Sequence, residues 1–210
     1  MSEEKIPLLL IGGGGHCRSC IDVIEAEGRF RIVGIVEADA RAAFDQGDYP
    51  LVGYDADLPD LVKQTPHCLI CIGQLKSAEI RRRLQQRLQA LGAIFPVIVS
   101  PYAYVSPKAE IGAGSIVMHH ALLNANTRVG EHCIINSKVL LEHDSVIGDQ
   151  VHLATGALVN GAVEVGSGCL IGSGAVIKQG CRIAADTVVG AGALVLVSLE
   201  KSGTYTGVCK

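Results

Sequence analysis

A histidine flanked by two carboxylates, Glu142-His143-Asp144, is the set in this 210-residue chain best suited to moving a proton. Imidazole is the commonest general base near neutral pH, and a neighbouring carboxylate holds it in one tautomer and raises its basicity. Eighteen residues before His143 lies Ala125, and eighteen after it lies Gly161. In a chain that coils every eighteen residues, a bare Gly161 leaves room beside the ring and its N–H becomes a donor for an oxyanion. Ser137 and Ser145 lie nearby without an evident activating partner, so the pattern points to direct transfer with no covalent intermediate. The other histidines say less. His67 abuts an apolar run, and His119, His120 and His132 fall in turns, where an exposed or simply packed imidazole is the ordinary case. A metal shared by His119 and His120 has no further ligand to support it.

A second candidate follows the apolar run Leu8 to Ile11, where Gly12-Gly13-Gly14-Gly15-His16 opens a helical segment. Backbone N–H groups at a glycine-rich turn and helix N-terminus form an anion site suited to a diphosphate. The dinucleotide fingerprint is incomplete: Gly12 and Gly14 fit its first two glycines, but Cys17 stands where the third should be. A tight turn that binds nothing stays open as the alternative. Two cysteine pairs have C-x-x-C spacing, Cys17 with Cys20 and Cys68 with Cys71. Cys68 and Cys71 lie in a strand-like run, where an odd spacing sends the side chains to opposite faces and prevents a shared metal. Cys133, Cys169 and Cys181 read as small hydrophobes, and a reducing compartment argues against disulfides.

The elements that position these groups follow from periodicity. Sixteen aliphatic residues recur at a spacing of six from Val105 to Val195, passing through Ile135, Leu141, Leu153 and Val159. Two positions before each, the chain is mostly small, as at Ala121, Cys133, Ser145 and Ala157. A period of six is neither helix nor ordinary strand; it is a short strand and a turn, repeated. Three such hexads close one triangular coil, which makes the region a parallel β-helix of about five coils. Before it, Leu8 to Ile11, Arg31 to Val36, Cys68 to Ile72 and Ile94 to Val99 read as strands. Cys17 to Glu27, Leu58 to Lys63 and Ser77 to Leu91 read as helices, the last with Ser77 as N-cap and Arg81, Arg82, Arg83 and Arg87 solvated. A polar stretch runs through Asp39, Asp45, Asp48 and Pro50. Alternating strand and helix predicts a small parallel α/β sheet of Rossmann type over residues 1–100, with the β-helix over residues 101–210.

Composition agrees. Aromatics are scarce at 4% and glycines number 25, as a narrow solenoid with tight corners requires. A net charge of −3 gives no basic footprint, so nucleic acid is not expected as a partner. No apolar run approaches a membrane span, and the acidic start Met1-Ser2-Glu3-Glu4-Lys5 is unlike a signal peptide, so a cytoplasmic protein is expected.

Ile11-Gly12-Gly13-Gly14-Gly15-His16, Val33-Gly34-Ile35-Val36-Glu37-Ala38-Asp39, and Ile135-Asn136-Ser137 leading to Glu142-His143-Asp144 together resemble the NeuD/PglD family of bacterial sugar acetyltransferases. The resemblance spans nearly the whole chain. It implies an N-terminal nucleotide-sugar-binding domain, a left-handed β-helix, a homotrimer and acetyl-CoA as co-substrate. By the same resemblance His143 is the general base, Asp144 its orienting partner, Asn136 a group positioning the acceptor, Gly161 the donor to the thioester oxygen and His152 a second active-site histidine. Gly12, Gly13, Gly14, Gly15 and His16 match the nucleotide-sugar loop, with Glu37 beyond the second strand. The pantetheine arm is expected along a groove between neighbouring β-helices, near Ser173 and Ala191, which are only approximately in register with Gly161.

Three features depart from the family pattern. Cys17 replaces a small residue, Ala38 replaces the second acid of a pair, and the chain ends in Gly207-Val208-Cys209-Lys210 without Gly-x-Pro-Ala-Lys. The implied activity is N-acetylation of the 4-amino group of a nucleotide-linked deoxy sugar, needing no metal. O-acetylation of a sialic-type sugar, a hexapeptide metalloenzyme and a non-catalytic nucleotide-sugar scaffold are the other readings weighed.

Overall fold

The computed structural model describes residues 4–40, 49–74 and 76–210. Residues 1–3 of the acidic start, and Asp45 and Asp48 of the polar stretch, lie outside them. The first part is a four-stranded parallel sheet in the order β3-β2-β1-β4, formed by β1 (Ile6–Ile11), β2 (Phe30–Glu37), β3 (Leu51–Tyr54) and β4 (Cys68–Ile70). Leu8, Leu9, Leu10 and Ile11 are all buried, as expected of a central parallel strand covered on both faces. Leu8 and Leu10 pack with Cys17, Cys20, Val23 and Ile24 of α1 (Gly15–Glu27). Leu9 and Ile11 pack on the other face with Leu58 and Val62 of α2 (Leu58–Gln64) and Leu84 and Leu88 of α3 (Glu79–Ala90). Cys68 and Cys71 fall in these two different clusters, as their odd spacing required. Gly28, at φ +84°, ends α1 with its N–H on the Ile24 carbonyl.

Two expectations need correction. Helix α3 begins at Glu79, whose N–H donates to Ser77 Oγ at 3.5 Å, but it buries Arg81 to 2% exposure where the sequence predicts a solvated arginine. Ile98–Val99 does not close the α/β sheet. It pairs with Ile116–Val117 as the first strand of the solenoid, and only Ile94 bridges back, to His67.

From there the chain forms a left-handed parallel β-helix of two-residue strands. Each strand from Tyr104–Val105 to Leu194–Val195 ends on an aliphatic residue of the six-residue series. Strands pair eighteen residues apart, Arg128 with Val146, Ile134 with His152 and Leu140 with Leu158. Three faces result. The first presents Ile98, Ile116 and Ile134 outward into a core shared with α1 and β1. The second presents Tyr104, Leu122, Leu140, Leu158, Val176, Leu194 and Val208, an apolar ladder exposed at Tyr104, Leu158 and Val208. The third presents Glu110, Arg128, Val146, Glu164 and Arg182. Corners carry a left-handed residue at six-residue intervals, including His120, Asn126, Lys138, Asp144 and Gly156. Asp144 at φ +60° is therefore where a short polar side chain tolerates a conformation that disfavours most others.

Candidate active site

His143 stands on the corner between the second and third faces, with half of its side chain exposed. Its Nδ1 lies 2.8 Å from Asp144 Oδ2, so Nδ1–H donates to the carboxylate and Nε2 is left bare for chemistry. The hydrogen bond from His143 holds the Asp144 carboxyl below the usual range, and a second bond, 3.1 Å from Asn126 Nδ2, acts in the same direction. Glu142 does not touch the ring. Its Oε2 accepts from Asn124 Nδ2 at 2.8 Å and from the His143 N–H at 3.4 Å.

Gly161 lies directly beneath the imidazole. A Cβ there would stand 2.7 Å from His143 Cε1 and 2.8 Å from Nε2, so only glycine leaves the ring where Asp144 holds it. Its N–H differs from those of the two preceding coils in the same column. One and two coils earlier, the N–H groups of His143 and Ala125 are capped by Glu142 Oε2 and Asn124 Oδ1. Asn160 instead turns its amide to the Ile177 carbonyl, 2.6 Å away. Gly161 N–H is left without a partner among the described residues, and an unpaired donor at a buried glycine is suited to a ligand oxygen.

Asn136 and His152 are not beside His143. Asn136 sits on the corner between the first and second faces, one face away, and His152 on the adjoining first-face strand. Asn136 Oδ1 accepts from the Ser137 N–H at 2.7 Å, and its Nδ2 lies 3.5 Å from His152 Nε2. His152 is 8% exposed, and its Nδ1 meets the main-chain carbonyl of Gln74 at 3.1 Å. Burial pushes its pKa down to about 4, so the ring is neutral at working pH. Ser173 and Ala191 stack on Ser137 and Thr155 along this same corner, and they share no column with Gly161. There Gly156, Gly174 and Gly192 occupy the left-handed position that His120 and Lys138 fill in earlier coils. A Cβ on any of the three would meet nothing within 4 Å, so glycine keeps this stretch of the corner bare.

The glycine loop joins this second group. His16 lies with its ring centroid 6.2 Å from that of His152, and its Nε2 is buried without a partner among the described residues. Gly12, at φ +94°, packs so tightly that a Cβ would come 2.5 Å from Ile72 Cγ1. Gly13 donates its N–H to Glu37 Oε1 at 2.7 Å, which ties the acid that ends β2 to the loop. Gly14 and Gly15 face open space and begin α1 with no side-chain cap and no acid in its first turn. Beside Gly12 a cavity of about 710 Å³ opens at the carboxyl ends of β1 and β2, lined by Glu37, Ala38, Asp55, Ile80, Arg83 and Arg87 among others. Ligands of open α/β sheets bind at such a place. Burial raises the Asp55 pKa, against the opposing charges of Arg87 and Arg83. Among the described residues no group of three or more His, Cys, Asp or Glu side chains is arranged to hold a metal ion.

Residues 7–88 match the PglD N-terminal domain, and residues 162–196 match the bacterial transferase hexapeptide (six repeats). A curated relative, UDP-N-acetylbacillosamine N-acetyltransferase of Bacillus subtilis, is 33% identical over 109 residues, 52% of this chain and 50% of that protein. Thus the match spans about half the length of that relative. Among solved structures, a histidine-to-asparagine mutant of perosamine N-acetyltransferase from Caulobacter crescentus, in complex with CoA and GDP-perosamine, is 32% identical with a TM-score of 0.89, covering 96% of this chain and 93% of that one. The chain belongs to the NeuD/PglD family. A further relative is the acetyltransferase domain of PglB from Neisseria gonorrhoeae in complex with acetyl coenzyme A, 29% identical with a TM-score of 0.87, with 97% of each chain covered.

Within this NeuD/PglD chain, three polar residues escaped sequence reasoning. Asn126 was reachable, since it lies eighteen residues before Asp144 in the same column. Asn160 and Gln74 carry no such signal, because what matters is which way one amide turns and which loop docks on the solenoid.

Proposed function

We propose that this protein is an acetyl-CoA-dependent N-acetyltransferase acting on the 4-amino group of a nucleotide-linked deoxy amino sugar, for surface glycan biosynthesis. The observation that carries the reading is the unpaired Gly161 N–H beneath the bare Nε2 of His143, a base and an oxyanion donor side by side. Relatives named as acetyltransferases of nucleotide-linked amino sugars support the same chemistry. The neutral sugar amine attacks the acetyl carbonyl while His143 Nε2 takes its proton. Gly161 N–H stabilises the oxyanion of the tetrahedral adduct, which collapses as the C–S bond breaks. The CoA thiolate then recovers the proton from His143. Asp144 keeps the imidazolium oriented throughout. The glycine loop and the helix N-terminus bind the diphosphate, and the adjoining cavity takes the nucleoside. The division between nucleotide-sugar binding and acetyl transfer falls near Ser100.

The working unit is a homotrimer. One chain places His143 and the Asn136–His152 pair at different edges of its second face, and that face is the uncovered apolar ladder. Packing second faces around a threefold axis brings the His143 corner of one copy toward the Asn136 corner of the next, and it covers the ladder. The pantetheine arm then runs in the groove between copies along the bare corner at Ser173 and Ala191. No helix among the described residues is long and apolar enough to cross a membrane, and the proposed setting is the cytoplasm. Mass spectrometry of reactions with acetyl-CoA and a panel of UDP-, GDP- and dTDP-linked amino sugars tests the activity, and no acetylated product with any of them refutes it. Leu158→Glu, on the ladder, is expected to sediment as a monomer and lose turnover; an active monomer would contradict the shared site.

A further inference from the structure

Gln74 and Arg81 have no part in the chemistry above, yet both are buried, at 1% and 2% exposure, in the seam between the α/β domain and the solenoid. Gln74 follows β4. Its side-chain Nε2 donates to the Gly168 carbonyl at 2.8 Å, and its Oε1 accepts from Arg81 Nη1 at 3.3 Å. Arg81 also donates through Nη2 to the His132 carbonyl, and no carboxylate pairs with it among the described residues. These bonds fix the Gln74 main chain against His152, with the carbonyl 3.1 Å and the N–H 3.4 Å from Nδ1. A carbonyl oxygen can only accept, so the shorter contact places the proton on Nδ1.

The rest of the chain of bonds agrees with that tautomer. A neutral ring protonated at Nδ1 has a bare Nε2, and the group facing it is the Asn136 Nδ2 donor at 3.5 Å. Asn136 cannot face the ring with its oxygen, because Oδ1 holds the Ser137 N–H at 2.7 Å. Burial is the main force keeping His152 neutral. The Gln74 carbonyl pulls the other way, while His16 from α1 and Arg81 from α3 add to the effect of burial. A buried cation with no counter-charge is costly, and here it stands where it disfavours a second positive charge on His152.

We propose that Gln74 and Arg81 are positioning residues: they lock His152 as the Nδ1–H tautomer, so that its bare Nε2 beside Asn136 accepts a hydrogen bond from the acceptor sugar. The proposal rests on the acetyltransferase reading for the identity of the ligand. The sugar subsite is thereby complete only when the α/β domain is docked on the coil.

The test uses the full chain labelled with 15N-histidine, with His152 assigned through His152→Gln. Long-range proton–nitrogen spectra should show a protonated Nδ1 and a bare Nε2 between about pH 5 and pH 8. Gln74→Met keeps the volume and the main-chain carbonyl but loses both side-chain bonds; Arg81→Met removes the charge. Each should give a mixed tautomer and raise the KM for the sugar nucleotide about tenfold, the scale of one lost hydrogen bond, with the KM for acetyl-CoA unchanged. Arg81→Lys, which keeps the charge, should restore the single tautomer. A wild-type ring protonated at Nε2 overturns the proposal, as does a folded Gln74→Met with unchanged tautomer and KM. Gln74→Met decides the case if Arg81→Met does not fold. The tautomer is read without turnover, so absence of acetyl transfer would sink the functional reading and leave this measurement intact.

Discussion

His143 and His152 are nine residues apart, half of one coil, and the solenoid gives them opposite surroundings. His143 projects from a free corner, half exposed, with a carboxylate on Nδ1. His152 lies under the α/β domain, 8% exposed, with a main-chain carbonyl on Nδ1. Both present a bare Nε2, but only one can afford to become an imidazolium. At His143 an ionised Asp144 stabilises the charge that proton transfer creates. Burial at His152, together with the Arg81 charge, forbids it. The proposed proton acceptor and the proposed hydrogen-bond acceptor are thus the same side chain, one placed outside the seam and one inside it.

The sharpest way to break this contrast is to remove His143. His143→Ala should lower turnover by roughly 10²–10⁴, the contribution of a positioned base, while stability changes by no more than about 0.5 kcal/mol. Steady-state rates with a saturating sugar nucleotide, and denaturant unfolding, measure the two. Near-native turnover would remove His143 from the mechanism and leave His152 as the remaining histidine at the site. Asp144→Asn should be milder, since the imidazole stays and loses only its charged partner.

Next in size is the glycine beneath the ring. Gly161 has no left-handed backbone, so Gly161→Ala is tolerated by the chain, but the new Cβ must push the exposed His143 ring off Asp144. A displacement near 1 Å should cost about 10² in turnover with little change in stability. Unchanged turnover would show that the imidazole position is not set from below.

A smaller effect is expected at the glycine loop. Gly14 has φ −70° and open space around its Cα, so a side chain there leaves the fold unstrained and stands where a phosphate would approach. Gly14→Leu should raise the KM for the sugar nucleotide about tenfold and leave that for acetyl-CoA unchanged. Equal rises for both would mean that the loop supports the fold rather than the ligand.

The two histidine settings were unequally legible in the sequence. The six-residue series fixes the register of every coil, so the column Ala125, His143, Gly161 follows from counting, and with it the crowding of Gly161 against the imidazole. Asn126, one coil before Asp144, follows from the same count. The setting of His152 does not, because its partners come from a loop 78 residues away. Arg81 reads as solvated since it falls in an arginine-rich helix, and only the docking of α3 on the coil, through Arg81 to the His132 carbonyl and Arg82 to Asp186, makes its position an interior one. Ile98–Val99 failed for a related reason: a short apolar run states that a strand is buried but not which sheet it joins. Local period carries the solenoid, whereas contacts across the seam are tertiary.

The smallest effect is expected in the pH dependence of stability, and it separates the seam from the free corner. His132 joins His152 there, its ring edge-on to Phe95 at 4.5 Å between centroids, and it is 2% exposed. Burial lowers its pKa to about 4, helped by the Arg81 charge and opposed by Asp149. Both rings therefore bind protons less readily in the folded protein than in the unfolded chain, whose histidines titrate near about 6.5. As the pH falls through that value the unfolded state takes up protons that the native state refuses. Stability is then fully present above about pH 6.5 and is lost progressively toward about pH 4. Denaturant midpoints measured between about pH 7.5 and pH 5, above the range where most carboxylates titrate, should fall with pH in the wild-type protein. The double variant His132→Gln/His152→Gln removes both groups and should flatten that slope even if it lowers stability at every pH. An unchanged slope in the double variant would place the acid-sensitive groups elsewhere and deny that the seam keeps its histidines neutral.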